Sequence, residues 1–175
     1  RRLAEELQAD PKELAEHRML VDLARNDIGR FCKADSITIP ELIKVEPYSH
    51  VMHLTSEVKG KLRYGIHPLD ACLGSLPAGT LSGAPKVRAL QIIAELEKSR
   101  RGPYGGAFGW MTDTAVDTCI FIRSAMLHQG ILYWQSGGGI VADSDQEAEY
   151  QESLAKARAI ETALNKIGKH WTCHE

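Results

Sequence analysis

Apolar residues recur along this chain with two different periods, and the changes between them predict its elements. Residues 1–9 and 11–30 carry a helical pattern broken near Asp10-Pro11, with Leu14, Met19-Leu20-Val21 and Leu23-Ala24 forming one stripe. Asp10 reads as the N-cap, Pro11 as the first helical residue and Glu13 as the capping-box partner, while Gly29 suggests the stop. Residues 36–46 are extended, with Pro40 implying an edge or a bulge. Residues 49–59 alternate more clearly. Met52, Leu54 and Val58 share one face, and Val51, His53, Thr55 and Glu57 the other. A turn over 61–67 and a short helix over 68–76 follow.

Leu76 to Arg88 reads as a loop rich in Gly and Pro, feeding a helix over 85–100. Three strands come next, over 104–112, 116–128 and 131–142. The Gln129-Gly130 turn makes the last two antiparallel neighbours. A long helix over 144–168 closes the pattern, opened by Asp143-Ser144-Asp145, and 169–175 read as frayed.

Composition narrows the class without naming it. The 175 residues suit one domain or a piece of a larger one, at 43% hydrophobic and 25% charged. A net charge of −2 gives no electrostatic footprint for nucleic acid or anionic lipid. No apolar run approaches the roughly 20 residues that span a bilayer, and residue 1 opens no signal peptide, so a cytoplasmic protein is expected. The four cysteines lie far apart with no Cys-x-x-Cys pair, favouring structural thiols over zinc or disulfides.

Candidate chemistry concentrates in 135–159. Gly137, Gly138 and Gly139 permit positive φ and remove side chains that would hold a ligand away. Glu149, Glu152 and Lys156 fall at i, i+3 and i+7, so one helix face carries two carboxylates and an ammonium. That face suits an anion and a hard cation together; it equally suits a solvated helix with an i,i+4 Glu152–Lys156 pair. Glu13 and Glu16 repeat the spacing near the other end, where Glu13 also has a capping job available. Arg123 shares a strand face with Cys119 and Phe121, with Asp117 six residues away. Its counter-charge is either a ligand carboxylate or an acid elsewhere in the fold. The stretch Gly79-x-x-x-Gly83-x-x-Lys86 fails as a phosphate loop: Pro85 lacks an N–H, and Val87 stands where a magnesium-binding hydroxyl belongs.

Four motifs then resemble those of the chorismate-utilising enzymes. They are Glu-His-Arg-Met-Leu-Val-Asp-Leu-Ala-Arg-Asn-Asp-Ile-Gly-Arg (16–30), Gly-Thr-Leu-Ser-Gly-Ala-Pro-Lys-Val-Arg-Ala (79–89), Arg-Gly-Pro-Tyr-Gly-Gly (101–106) and Gly-Gly-Ile-Val-Ala-Asp-Ser (138–144). They run in family order from about residue 1 to 165 and look closest to anthranilate synthase component I. The sister aminodeoxychorismate synthase component I is the alternative. The resemblance implies the C-terminal part of a chorismate-binding catalytic domain, whose upstream part is absent. By itself that part is expected to be inactive. It also implies an α+β fold of antiparallel sheets packed face to face with helices outside.

The implied chemistry is a lyase reaction, in which chorismate and ammonia give anthranilate and pyruvate in tryptophan biosynthesis. Mg²⁺ is the cofactor, and a glutamine amidotransferase subunit supplies the ammonia. Carried over residue by residue, the resemblance places Glu13, Glu16, Glu149 and Glu152 around the metal, partly through water. It places Thr80, Tyr104, Arg123, Gly138, Gly139 and Lys156 against the substrate. His53 falls near the ring, where a proton is removed as pyruvate leaves.

Overall fold

The computed structural model describes residues 8–47, 52–142 and 144–166. Besides a 3-10 turn over Ala34–Ser36, the elements in them are α1 (Pro11–Gly29), β1 (Thr38–Pro47), β2 (Met52–Lys59), α2 (Pro68–Ser75), α3 (Gly79–Ser82), α4 (Lys86–Leu96), β3 (Ala107–Met111), β4 (Val116–Ile120), β5 (Ala125–His128), β6 (Ile131–Trp134) and α5 (Gln146–Lys166). The class is α+β, as expected. The strands form three two-stranded sheets, β1–β2, β3–β4 and β5–β6, of which the first and last are antiparallel by register. The predicted segments 1–7, 48–51 and 167–175 lie outside the described residues. Two compact units divide the chain: 1–79 with Trp110–Asp117, and Thr80–Gly109 with the residues from Thr118 onward.

In the first unit, α1 starts as its sequence dictates. Asp10 Oδ1 accepts the Glu13 N–H at 3.2 Å, and Asp10 O accepts the Leu14 N–H at 3.0 Å. The β1–β2 ladder runs from Thr38 opposite Lys59 to Pro47 opposite Met52, with His53 facing Glu46. Its register shifts between Thr38 and Glu41, around Pro40, and again before Lys44. Ile43 takes φ 58° at the second irregularity, a position costing a β-branched residue roughly 1–3 kcal/mol. Its N–H donates to Ser56 Oγ at 2.9 Å.

Close packing in this unit uses glycine. A Cβ at Gly74 would fall on the Phe31 ring, and one at Gly79 would fall on the Leu23 side chain. His67 caps α2: its Nδ1 accepts the Leu69 N–H at 3.1 Å, and Asp70 Oδ2 accepts the His67 N–H at 3.3 Å. The other ring nitrogen, Nε2, lies 2.9 Å from the Asp113 carbonyl oxygen in the β3–β4 turn. Those partners fix the tautomer with the proton on Nε2.

In the second unit, α3 stands where the sequence predicts a loop, and the long strand predicted over 116–128 is broken in two. Between β4 and β5, Ile122 N–H reaches back to Ile120 O at 2.9 Å and Arg123 takes φ 51°. The apolar run through 119–122 hides this break, because it contains neither Gly nor Pro. The last predicted strand is also shorter, ending at Trp134 rather than 142. The Gln129-Gly130 turn matches its sequence: both residues have positive φ, 50° and 80°, and His128 pairs with Ile131, as a two-residue I′ hairpin requires.

Burial is sparse. Among the described residues, Val21 and Cys32 are the buried apolar side chains, whereas Leu96 is 74% exposed, Phe108 66% and Trp110 57%. No described helix is long and apolar enough to cross a membrane.

Candidate active site

The second unit gathers most of the residues singled out from sequence. Its loop 101–106 is shaped by Gly102 (φ 58°) and Gly105 (φ 77°), conformations that side-chain-bearing residues rarely adopt. Gly105 N–H donates to Phe121 O at 3.0 Å, and Phe121 N–H donates to Gly106 O at 2.8 Å. Arg101 braces the loop from the other side. Its Nε and Nη2 hold Glu97 at 2.9 and 2.5 Å, its Nη1 donates to Leu81 O at 2.7 Å, and its guanidinium lies 5.7 Å from the Tyr104 ring centroid. The hydrogen bonds from Arg101 hold the Glu97 carboxyl below the usual carboxylate range, against a smaller opposing effect of burial.

Tyr104, set by that brace, faces the glycine run. A Cβ built at Gly137 would lie 3.3 Å from Tyr104 Oη, and one at Gly138 would lie 3.3 Å from Glu149 Oε2. The two glycines therefore stand close to a phenol and a carboxylate, where a side chain would crowd them. Positive φ plays no part: none of Gly137, Gly138 and Gly139 adopts it. Ser136 Oγ donates to Ser153 O at 2.8 Å and ties the run to α5.

Glu149 lies in the first turn of α5, whose N-cap is Asp145: Oδ1 accepts the Ala148 N–H at 2.9 Å, and the backbone oxygen accepts the Glu149 N–H at 3.0 Å. Ser144 Oγ donates to Glu149 Oε1 at 2.7 Å. A carboxylate near a helix N-terminus also gains from the macrodipole. One turn on, Glu152 and Lys156 form an ion pair of 2.6 Å, so the solvated-pair alternative describes these two residues as they stand. Thr80 is exposed within α3. Arg123 is exposed in the break after β4, so the face it was expected to share with Cys119 and Phe121 does not exist.

The remaining residues belong to the first unit. Glu13 is exposed and Glu16 half-buried on α1, and His53 is half-buried on β2. The residue after Glu16, His17, is joined through Nε2 to Ser56 Oγ at 2.7 Å, which fastens α1 to β2. Burial lowers the pKa of its imidazole. Among the described residues, no group of three or more His, Cys, Asp or Glu side chains forms a preformed metal cage.

Sequence reasoning singled out the glycines, Tyr104 and Glu149 but missed the groups that hold them: Ser136, Ser144, Glu97 and Arg101. Only the Glu97–Arg101 pair had a signal, its i,i+4 spacing with the acid N-terminal to the base.

An α+β chain with an acidic helix start beside a glycine run and a braced tyrosine loop is the class these features define. The family described as chorismate binding enzyme matches residues 1–162, and the chain belongs to that family. It is 53% identical over 166 residues to anthranilate synthase component 1 of Bacillus caldotenax, covering 94% of this chain and 33% of the relative. The crystal structure of anthranilate synthase component I from Streptococcus pneumoniae superposes with a TM-score of 0.85 at 50% identity, over 89% of this chain and 36% of that one. The menaquinone-specific isochorismate synthase of Escherichia coli is more distant in sequence, at 26% identity with a TM-score of 0.83, over 92% and 37%. This chain thus spans about a third of the length of the relatives it matches.

Proposed function

We propose that this chain forms part of the catalytic domain of an anthranilate synthase component I, which converts chorismate and ammonia to anthranilate, pyruvate and water. The single observation that carries the reading is the 53% identity over 166 residues, against 26% to the Escherichia coli isochorismate synthase. Sparse burial supports the further point that these residues are one part of a cleft: a chain of this size ordinarily buries roughly 70% of its unfolded surface. The 175 residues alone are therefore expected to turn over little or no chorismate.

Mg²⁺ fits the residues present. Glu149 offers a hard carboxylate, one oxygen of which accepts a hydrogen bond from a neutral hydroxyl. Glu149 and Glu16 would hold the ion directly. Glu152, engaged by Lys156, and Glu13 would act through water. When bound, the ion supplies Lewis-acid stabilisation of charge on the substrate carboxylate.

The chain's own groups do the rest. Tyr104 donates a hydrogen bond to a substrate carboxylate, Arg123 and Lys156 add positive charge, and Thr80 gives a hydroxyl. Gly138 and Gly139 let the ring approach the backbone. As ammonia forms its bond to the ring, the 4-hydroxyl leaves as water; pyruvate then departs, and His53 takes the ring proton whose loss completes the aromatic system. The expected source of ammonia is a glutamine amidotransferase subunit, and the expected compartment is the cytoplasm.

The test supplies the complete protein with chorismate, Mg²⁺ and ammonium salt. Fluorescent anthranilate should accumulate with equimolar pyruvate. Accumulation of 4-amino-4-deoxychorismate would assign the chain to the sister enzyme, and isochorismate formed without ammonia would assign it to the water-using branch; either result overturns the reading.

A further inference from the structure

We propose that Arg101 is a positioning residue for substrate binding, setting Tyr104 and the turn that carries Thr80 at a fixed spacing from which both grip chorismate; this rests on the proposed function above. Its guanidinium is committed inside the protein. Nε lies 2.9 Å and Nη2 2.5 Å from the Glu97 carboxylate, so the edge that would fork onto a substrate carboxylate is already occupied. Nη1 donates to Leu81 O at 2.7 Å. The Arg101 and Glu97 side chains are only 25% and 32% exposed, so solvent screens the pair less than it would at an open surface.

Each end of this brace lands on a different element. Glu97 is the C-cap of α4, where its own N–H donates to Ile93 O at 2.8 Å. Leu81 follows Thr80 in α3, a helix of four residues and too short to hold its shape without tertiary support. The 101–106 loop also rests on that turn: a Cβ built at Gly105 would lie 3.5 Å from Leu81 Cβ. Tyr104 belongs to the same loop. Its N–H donates to Arg101 O at 3.1 Å, and the Arg101 guanidinium lies 5.7 Å from its ring centroid. One planar group therefore ties together the end of α4, the Thr80 turn and the Tyr104 ring. A lysine cannot copy it, since an ammonium has no flat fork to meet a carboxylate on one side and a carbonyl on the other. Holding two hydroxyls at a preset spacing before the substrate arrives lowers the entropy lost on binding.

The experiment measures initial rates of anthranilate formation by the complete protein at varied chorismate, with saturating Mg²⁺ and ammonium salt. Arg101→Gln should raise KM for chorismate about 10–100-fold and leave kcat within about threefold. A lesion that only lowers stability would instead reduce the amount of active enzyme, and so the apparent kcat, at unchanged KM. Arg101→Lys should stay impaired in KM although it keeps the charge. Glu97→Gln distinguishes two roles by sign, and reads the brace should Arg101→Gln not fold. A positioning Arg101 is loosened by it and KM rises severalfold; an Arg101 that binds substrate directly is released by it and KM falls. Parental KM in folded Arg101→Gln or Arg101→Lys, or a KM that Glu97→Gln does not raise, overturns the inference. Tyr104→Phe separates the two levels: if it alone raises KM, only the role of Arg101 fails, and if KM is parental in both, Tyr104 touches no substrate and the reading beneath fails with it.

Discussion

The two acidic helices carry the same spacing, Glu-x-x-Glu, and surround it differently. On α1, Glu13 and Glu16 sit on a helix fastened to β2 by the neighbouring His17–Ser56 bond at 2.7 Å. On α5, Ser144 holds Glu149 and Lys156 holds Glu152. Identical spacing therefore says little about how a carboxylate is held. The turn that leads into α5 brings a hydroxyl, that of Ser144, within reach of a first-turn carboxylate.

The sharpest way to break this contrast is to remove one acid from each helix in the complete protein. Glu149→Ala and Glu16→Ala should each lower Mg²⁺-dependent turnover by about 100-fold or more at limiting metal, measured as anthranilate fluorescence. Near-parental rates in both would end the metal assignment. Glycines give the next test, because the two units use them for different ends. Gly74→Ala should cost about 1–3 kcal/mol in urea unfolding, since Phe31 occupies the space its methyl needs. Gly138→Ala should leave stability within about 1 kcal/mol and instead raise KM for chorismate roughly tenfold, by crowding the approach beside Glu149.

The ion pairs of the second unit differ in the same instructive way. Glu97 is held by a forked guanidinium and its pKa is lowered, so the stability it contributes is present above the ordinary carboxylate range. That contribution is lost as pH falls through the folded-state value. Arg101→Gln should cost about 1 kcal/mol at neutral pH and flatten that acid limb of the stability curve. Glu152→Gln, which leaves a single exposed i,i+4 pair unmade, should change stability by only about 0.3–0.5 kcal/mol. A large loss there would mean that Lys156 and Glu152 do more than pair.

Much of the fold was legible because its signals are local. Asp10-Pro11 starts α1, Gln129-Gly130 turns the β5–β6 hairpin, and Pro40 lies at a register shift, each through chemistry confined to a few residues. What escaped is what depends on distant partners. Ile43 takes φ 58° where Ser56, 13 residues on, meets its N–H, and the strand predicted over 116–128 breaks at a run whose composition is that of a strand. The candidate site shows the same division. Spacing exposed the carboxylates and the glycines, and resemblance supplied the roles proposed for them. The bonds from Ser144 to Glu149, Ser136 to Ser153 and Arg101 to Leu81 have no periodic signature and were visible only in three dimensions.

His67 offers a built-in spectroscopic reporter. Its imidazole bridges a helix start to a carbonyl 46 residues downstream, with each nitrogen committed to a different partner. Nitrogen chemical shifts of that one ring would therefore register, atom by atom, whether α2 and the Asp113 turn remain joined in solution. Slow hydrogen exchange at the Leu69 amide would track the same joint without any label.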